Sequence, residues 1–202
     1  NAVVGGTTTV WIAGSQYLGI PHPRRLVVVA CATGDTTGSP ISSVQIGGVT
    51  ANVGARTNAS GSMRAVAVYW LSVPTGSYAD IRVANSGSAN SCLISTYAVY
   101  PQAAARAAFD TATTTASSCT TSSQTWPNVG IVIGATHHRN TNGTTWEAGS
   151  AGLVWSVSYN GTVGGVNCST AMATTYGNVG SVRISYAGSN NGGLAVCSFG
   201  PR

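Results

Sequence analysis

Side chains able to carry out acid–base chemistry are scarce in this chain, and the few present are widely separated. Catalysis at neutral pH needs titratable groups placed together, and hydrolysis of a glycosidic bond needs two carboxyl groups across that bond. Asp35 stands in the turn Gly34–Gly38, where an aspartate normally bonds its own backbone. The sequence therefore predicts no catalytic residue and no cofactor, with a secreted hydrolase using Asp35, Asp110 or Glu147 kept as an alternative. The acids and histidines are Asp35, Asp80, Asp110, Glu147, His22, His137 and His138.

A second set of polar and aromatic residues is concentrated between His137 and Glu147. Neighbouring residues of an extended chain point to opposite faces, so His137 and His138 are not expected to share a metal ion. The segment combines hydrogen-bonding groups with the stacking face of Trp146, which predicts a loop that binds a sugar or a protein partner. A plain polar loop between two strands is the simpler alternative. The residues assigned to this ligand or partner loop are His137, His138, Arg139, Asn140, Trp146 and Glu147.

The cysteines follow no metal-binding pattern. No C-x-x-C pair is present and no paired histidine spacing accompanies them, which argues against zinc. In an extracellular protein, five cysteines allow two disulfides and leave one thiol over, and the polar surroundings of Cys119 make it the most exposed candidate. Several of the five equally suit the role of small buried hydrophobic residues. The candidates for disulfide formation are Cys31, Cys92, Cys119, Cys168 and Cys197.

Composition separates this chain from an ordinary soluble domain. Only 6% of its residues are charged, against about 25% on average, and Ser, Thr, Asn and Gly take their place. The positive charge comes from nine arginines without a lysine, for a net charge of +5. Most of these arginines stand alone, whereas nucleic-acid binding needs a basic cluster. The composition predicts an extracellular setting or a dense protein assembly, without nucleic acid or membrane.

The elements that position these residues are strands. Short segments rich in Val, Ile, Tyr and Trp alternate with turns of Gly, Ser, Asn and Pro, and Leu26–Val29 is continuously apolar, as in a strand buried on both faces. Only Gln102–Phe109 has a helical pattern. We expect an all-β fold, an antiparallel β-sandwich of jelly-roll type, in a single domain over residues 1–202. The predicted strands are Thr8–Ile12, Arg25–Ala32, Ser43–Ile46, Arg64–Val73, Ala79–Val83, Cys92–Tyr100, Asn128–Thr136, Leu153–Tyr159, Ala171–Thr175, Ser181–Tyr186 and Leu194–Phe199.

The sequence also resembles itself at an offset of about 100 residues. Asp80–Val83 recurs as Ser181–Ile184, and each copy is followed by a Gly/Ser/Asn segment and then by Leu93 or Leu194, at an offset of 101 throughout. This predicts two similar halves, 24–101 and 128–201, joined by 102–127 and each ending in a hairpin; chance similarity between β-sequences is the alternative. Similar offsets relate Val27–Val29 to Ile131–Ile133, and Ala32-Thr33 to Ala135-Thr136.

Four stretches together resemble a group of uncharacterised β-rich proteins in phages and prophages of α-proteobacteria. The resemblance covers most of residues 24–201, and its motifs are structural, of the kind strand, Gly-Gly turn, strand. It implies a virion component such as a head decoration, spike or fibre protein, and it implies no catalytic residues. The stretches are Ser43–Ala51, Val73–Gly76 with Ala79–Val83, Cys92–Tyr100 and Leu194–Pro201.

These observations predict a non-enzymatic structural protein of a bacteriophage virion, on the outside of the capsid. Expected partners are other copies of the chain, in a homo-oligomer such as a trimer, and the major capsid protein or another virion protein. The alternative function is adhesion, on the virion or as a secreted or cell-surface protein, through a surface glycan held by the loop His137–Glu147. In that alternative Trp146 stacks on the sugar and Arg139 and Asn140 donate hydrogen bonds.

Overall fold

The protein is built from antiparallel β-strands, as the computed structural model shows. The structure describes residues 1–34, 40–58, 64–100, 106–114, 116–139, 143–150, 152–163, 165–177, 179–187 and 191–200, without the side chains of residues 58, 64, 106–109 and 114. Within these ranges every regular element is a strand, so the all-β prediction is confirmed. No helix that is long and apolar enough to cross a membrane occurs in the described ranges.

Residues 1–100, here called the first half, form one sheet of seven strands. In this sheet the order is β4-β3-β7-β2-β6-β5, and β1 also pairs with β7. The sheet curls back on itself, since Tyr69 Oη of β6 donates a hydrogen bond to the carbonyl of Ile41 in β3, at 3.3 Å. The strands are β1 (Ala2–Tyr17), β2 (Leu26–Gly34), β3 (Ile41–Ile46), β4 (Val49–Thr50), β5 (Asn52–Asn58), β6 (Arg64–Ser72) and β7 (Tyr78–Val99).

Residues 106–200, the second half, form a five-stranded sheet with the order β13-β14-β11-β17-β8. A three-stranded sheet, β12-β16-β9, and a two-stranded one, β10-β15, accompany it. The strands are β8 (Arg106–Thr114), β9 (Ser118–Thr120), β10 (Gln124–Thr125), β11 (Gly130–His138), β12 (Thr144–Glu147), β13 (Trp155–Val163), β14 (Val166–Thr175), β15 (Val179–Gly180), β16 (Arg183–Tyr186) and β17 (Gly192–Phe199).

Three apolar clusters hold these layers together. The first lies inside the first half, the third lies inside the second half, and the second, which we call the shared cluster, has members from both. Strand β2 feeds two of them, because Val27 and Val29 point into the first cluster while Val28 and Ala30 point into the shared one. The prediction that Leu26–Val29 is buried on both faces is therefore confirmed. One two-layer sandwich would enclose a single cluster, so the architecture is more elaborate than the sequence suggested.

Three local predictions are wrong. The described part of the expected helix, 106–109, belongs to strand β8, and the rest of it lies outside the described residues. The expected linker 102–127 contains β8, β9 and β10, which pair with β17, β16 and β15 of the second half. Neither expected terminal hairpin forms, since β16 and β17 lie in different sheets and β7 runs unbroken for 22 residues. It continues because Ala89 is buried and stays paired with Thr8 of β1.

The two halves share one strand order. In the first half β1, β7, β2, β6 and β5 follow one another, as β8, β17, β11, β14 and β13 do in the second. Registers agree as well: moving Val29 by 103 residues and its partner Thr96 by 102 gives Val132 and Ser198, which are partners. The same comparison relates β3 to β12 by 102 residues, β6 to β14 by 104, and the start of β7 to β16 by 101.

The offset of 101 read from the sequence holds only at the start of β7. Leu93 faces the shared cluster, whereas Leu194, 101 residues later, faces the interior of the second half. A slip of one residue moves a strand's side chains to the other face, so the structural counterpart of Leu93 is Ala195, which also faces the shared cluster. For the same reason Val29 corresponds to Val132 and not to Ile133.

Candidate functional site

The histidines of the predicted ligand loop are interior residues. Both His137 and His138 belong to the end of β11 and are fully buried. They do point to opposite faces: His137 lies next to Gly193, which also adjoins Val66 of the first half, whereas His138 stacks on Tyr186 inside the second half, with ring centroids 4.2 Å apart. Neither ring is placed to meet a ligand from solvent.

Trp146 is also an interior residue, so the predicted open stacking face is wrong. Its side chain is only 8% exposed, its Nε1 donates to Ser169 Oγ at 2.8 Å, and its ring lies 4.7 Å from that of Trp155. Strand alternation explains the burial, because β12 turns Trp146 inward and Glu147 outward. Glu147 instead forms an ion pair of 3.2 Å with Arg183.

The remaining residues of that loop do not rebuild the site. Arg139 is exposed, and its backbone N–H donates to the carbonyl of Asn191 at 3.3 Å. Asn140 lies outside the described residues. Of the six residues assigned to the loop, only Arg139 and Glu147 reach the described surface. Strand β11 extends further than the sequence suggested, so residues that were predicted to lie in a loop are buried within a strand.

The described carboxylates are engaged in local structure. Asp80 accepts a hydrogen bond from the backbone of Ser15 at 2.8 Å, and Asp110 accepts from the backbone N–H groups of Thr111 and Ser122. Asp35 lies outside the described residues. No group of three or more His, Cys, Asp and Glu side chains able to hold a metal ion occurs in the described ranges.

All five cysteines are buried and none of them is in a disulfide, so the predicted disulfides are absent. Cys31 and Cys92 lie two residues out of register on adjacent strands. This places their Cα atoms about 7–8 Å apart, which is too far for a disulfide. Cys168 and Cys197 flank β11 on opposite sides, opposite His137 and Ile133, so they are separated by more than two interstrand spacings, about 10 Å. Cys119, predicted to be exposed, is packed in the third cluster, and burial raises its pKa to about 12.

Arg25 acts as an internal clamp. Arg25 is fully buried, and its guanidinium donates to the carbonyls of Gly19, Val73, Thr75 and Gly76 at 2.6–2.8 Å. These bonds join the segment that follows β1 to the segment that precedes β7. The clamp role agrees with the dispersed placement of arginine in the sequence.

An exposed aromatic site, which was not predicted from the sequence, lies on this clamped end of the first half. Tyr17 and Tyr78 are cross-strand partners at the end of the β1–β7 ladder. Their rings lie 5.4 Å apart, and they are 57% and 65% exposed. Asp80 shares the outer face of β7 with Tyr78 because it is two residues along, and Ser15 adjoins it. We call Tyr17, Tyr78, Asp80 and Ser15 the tyrosine platform.

The platform is rigidly supported from below. Leu18, next to Tyr17, is buried, and its N–H donates to the carbonyl of Ser77 at 2.8 Å. Gly19 adopts a φ of +81°, and a Cβ there would lie 2.5 Å from Tyr100 Oη, so only glycine fits. Ser15 is the one described non-glycine residue with a positive φ, 47°. The signal available in the sequence was the alternation in Tyr78-Ala79-Asp80-Ile81, which puts the tyrosine and the aspartate on one face.

The second half exposes a different surface at the same end of the molecule. Gly34, at the end of β2, packs against Val163 of the second half, while Gly193, which pairs with His137 at the end of β11, lies beside Val66 of the first. Both strands therefore point the same way, and their starting ends lie together. Around the start of β11 we define the apolar rim, whose members are 62–73% exposed. They are Val129, Tyr176 and Val179.

Comparison with known proteins gives no assignment. No protein-family profile matches the chain, and no curated protein is detectably similar to it.

Proposed function

We propose that this chain is a non-enzymatic structural protein of a bacteriophage particle, a decoration, spike or fibre component that packs against copies of itself. The proposal includes a jelly-roll-like arrangement of the strands within one domain over the whole chain. Its copies would form a homo-oligomer such as a trimer, seated on the major capsid protein or another virion protein. This places the chain on the outside of an extracellular particle.

The apolar rim carries this proposal. Large apolar side chains grouped and exposed on a soluble protein usually mark a contact surface. Backbone pairing holds the rim in place, since Thr125 pairs with Val179 and Gly177 N donates to the carbonyl of Pro127 at 3.0 Å. A low charge content supports close packing, because few like charges repel between copies. A scaffold of paired strands held by internal hydrogen bonds suits a durable component of a virus particle.

Sedimentation velocity over a range of concentrations tests the proposal. We expect the wild-type chain to associate as concentration rises and Val179→Asp to remain monomeric, because burying an unpaired charge in a contact is unfavourable. Ile12→Asp is the matched control, since Ile12 is also an exposed strand residue but lies on the outer face of the first half. A wild-type chain that stays monomeric up to its solubility limit would contradict the proposal.

A second candidate function is adhesion to a surface glycan. The burial of His137, His138 and Trp146 removes support from the loop first assigned to it. A different observation favours it, namely the exposed ring pair of Tyr17 and Tyr78. On a virion this role would coexist with a structural one, because the platform and the apolar rim are separate surfaces.

A further inference from the structure

We propose that the tyrosine platform is a carbohydrate-binding site for a neutral pyranose residue. The inference rests on the second candidate function and names its site and its ligand class. It is independent of self-association through the apolar rim.

The ring pair supplies the stacking surface. Tyr17 and Tyr78 leave more than half of their side-chain surface in solvent, although aromatic rings gain most when a partner covers them. Their planes are inclined by 52°, so together they form a shallow angle and not a flat wall. Such an angle can receive the C–H face of a sugar ring against one tyrosine and its edge against the other.

Polar groups stand beside the rings in a suitable order. The carboxylate of Asp80 accepts hydrogen bonds, and one of its oxygens, Oδ1, already holds the backbone of Ser15 in place. Arg82 follows two residues later on the same face of β7, so a donor group succeeds the acceptor. One negative and one positive side chain in a row favour an uncharged ligand with many hydroxyl groups, because a charged ligand would meet a repulsive partner in the row.

The site is fixed before any ligand arrives. Arg25 ties the chain after Tyr17 to the chain before Tyr78 through four carbonyls, and its charge is spent on these bonds inside the protein. A rigid platform loses little conformational freedom on binding. The left-handed φ of Ser15 maintains a bulge in the backbone of β1, and this bulge brings Ser15 next to the carboxylate of Asp80.

The second half provides an internal comparison. There the positions equivalent to Tyr17, Tyr78 and Asp80 are Thr125, Val179 and Ser181, and Thr125 still pairs with Val179. The fold therefore needs neither two tyrosines nor an aspartate at these places. The rings and the carboxylate are an addition to the first half that the shared strand order does not explain.

A glycan microarray of neutral and acidic oligosaccharides, followed by saturation-transfer NMR with the best neutral hit, tests the site. We expect Tyr17→Ala and Tyr78→Ala each to weaken binding about tenfold, Asp80→Asn to weaken it, and Tyr78→Phe to retain it because the ring persists. Val157→Ala is the control, since Val157 is an exposed strand residue of the second half and belongs neither to the platform nor to the apolar rim. Circular dichroism checks that each variant is folded.

The outcomes separate the site from the function. Neutral-glycan binding that is lost in Tyr17→Ala and Tyr78→Ala and kept in Val157→Ala supports the proposal. Binding that persists in both tyrosine variants overturns this site while leaving adhesion in place, and selective binding of acidic glycans overturns the ligand class. A wild-type chain that binds no glycan overturns both the site and the adhesion role.

Discussion

The two halves of the molecule fill equivalent interiors with different side chains. Gly134 and Trp146 meet in the second half, where a Cβ on Gly134 would lie 2.7 Å from Trp146 Cη2. At the corresponding positions of the first half stand Cys31 and Val44, both in its interior cluster. The second half combines a very small residue with a very large one, and the first half combines two residues of intermediate size. The shared strand order therefore determines which positions correspond, whereas the side-chain volume at each position differs between the halves.

The largest effects are expected when second-half residues are replaced singly by their first-half counterparts. Trp146→Val removes a large buried side chain and should lower the free energy of unfolding by about 3–5 kcal/mol. Gly134→Cys adds atoms where Trp146 already sits and should lower it by about 1–3 kcal/mol. Urea unfolding followed by circular dichroism measures both changes.

The double variant Gly134→Cys/Trp146→Val decides whether the two positions compensate each other. It should lose less stability than the two single changes together, with a coupling of about 0.5–3 kcal/mol, because the added thiol fills part of the space left by the indole. If the two losses simply add, this pair corresponds to Cys31 and Val44 in position, but its two side-chain volumes do not compensate each other.

The thiol that only the first half carries at this position should make stability fall at high pH. Burial raises the pKa of Cys31 from 9.0 to about 12, so the folded chain keeps this proton in a range where the unfolded chain loses it. The unfolded state then binds fewer protons, and stability is complete below pH 9.0 and decreases as pH rises towards 12. Urea midpoints at about pH 8 and about pH 11 should differ less in Cys31→Ala than in the wild-type chain. An equal difference between the two midpoints in Cys31→Ala and in the wild-type chain would show that the Cys31 thiol is open to solvent.

The contact between the halves contains a polar pair with an apolar counterpart. Ser95 Oγ and Thr170 Oγ1 are buried and 2.7 Å apart, and the equivalent positions hold Cys197 and Val66, both in the shared cluster. Thr170→Val leaves the serine hydroxyl without this partner and should lower the free energy of unfolding by about 1–3 kcal/mol. Ser95→Cys/Thr170→Val copies the apolar version and should lie closer to wild type. A double variant that is less stable than the single one would rule out this exchange.

The smallest effect is expected on the surface. Glu147 pairs with Arg183 at 3.2 Å, with exposed fractions of 33% and 49%, and the first half has Gln45 opposite Arg82 in the same register. Glu147→Gln should therefore change the free energy of unfolding by less than about 1 kcal/mol, because solvent screens exposed pairs. Thermal unfolding at low and high salt measures it. A larger loss would show that this ion pair holds the three-stranded sheet of the second half together.

Much of the fold could be read from the sequence where a strand alternates cleanly or is apolar throughout. Leu26–Val29 was assigned to a central strand because apolar side chains on both faces need cover on both sides, and two clusters provide it. The self-similarity was visible, but its register was not. Leu93 and Leu194 are the same residue type on opposite faces, and only strand pairing distinguishes a shift of 101 from one of 102.

The candidate site was harder to predict than the fold. His137, His138 and Trp146 carry the chemistry of a binding loop, yet sequence does not report how far β11 and β12 extend, and that extent buried them. Tyr17 and Tyr78 are 61 positions apart in the chain. They become neighbours only through the long ladder between β1 and β7. No short sequence motif indicates this non-local pairing.

The placement of the cysteines also sets an order of events for the living protein. Once folded, the chain buries all five of its cysteines, and no disulfide joins any two of them. An unfolded chain exposes all five, and a bridge made then would join cysteines that are not bonded in the folded protein. Folding should therefore be completed before the chain meets an oxidant.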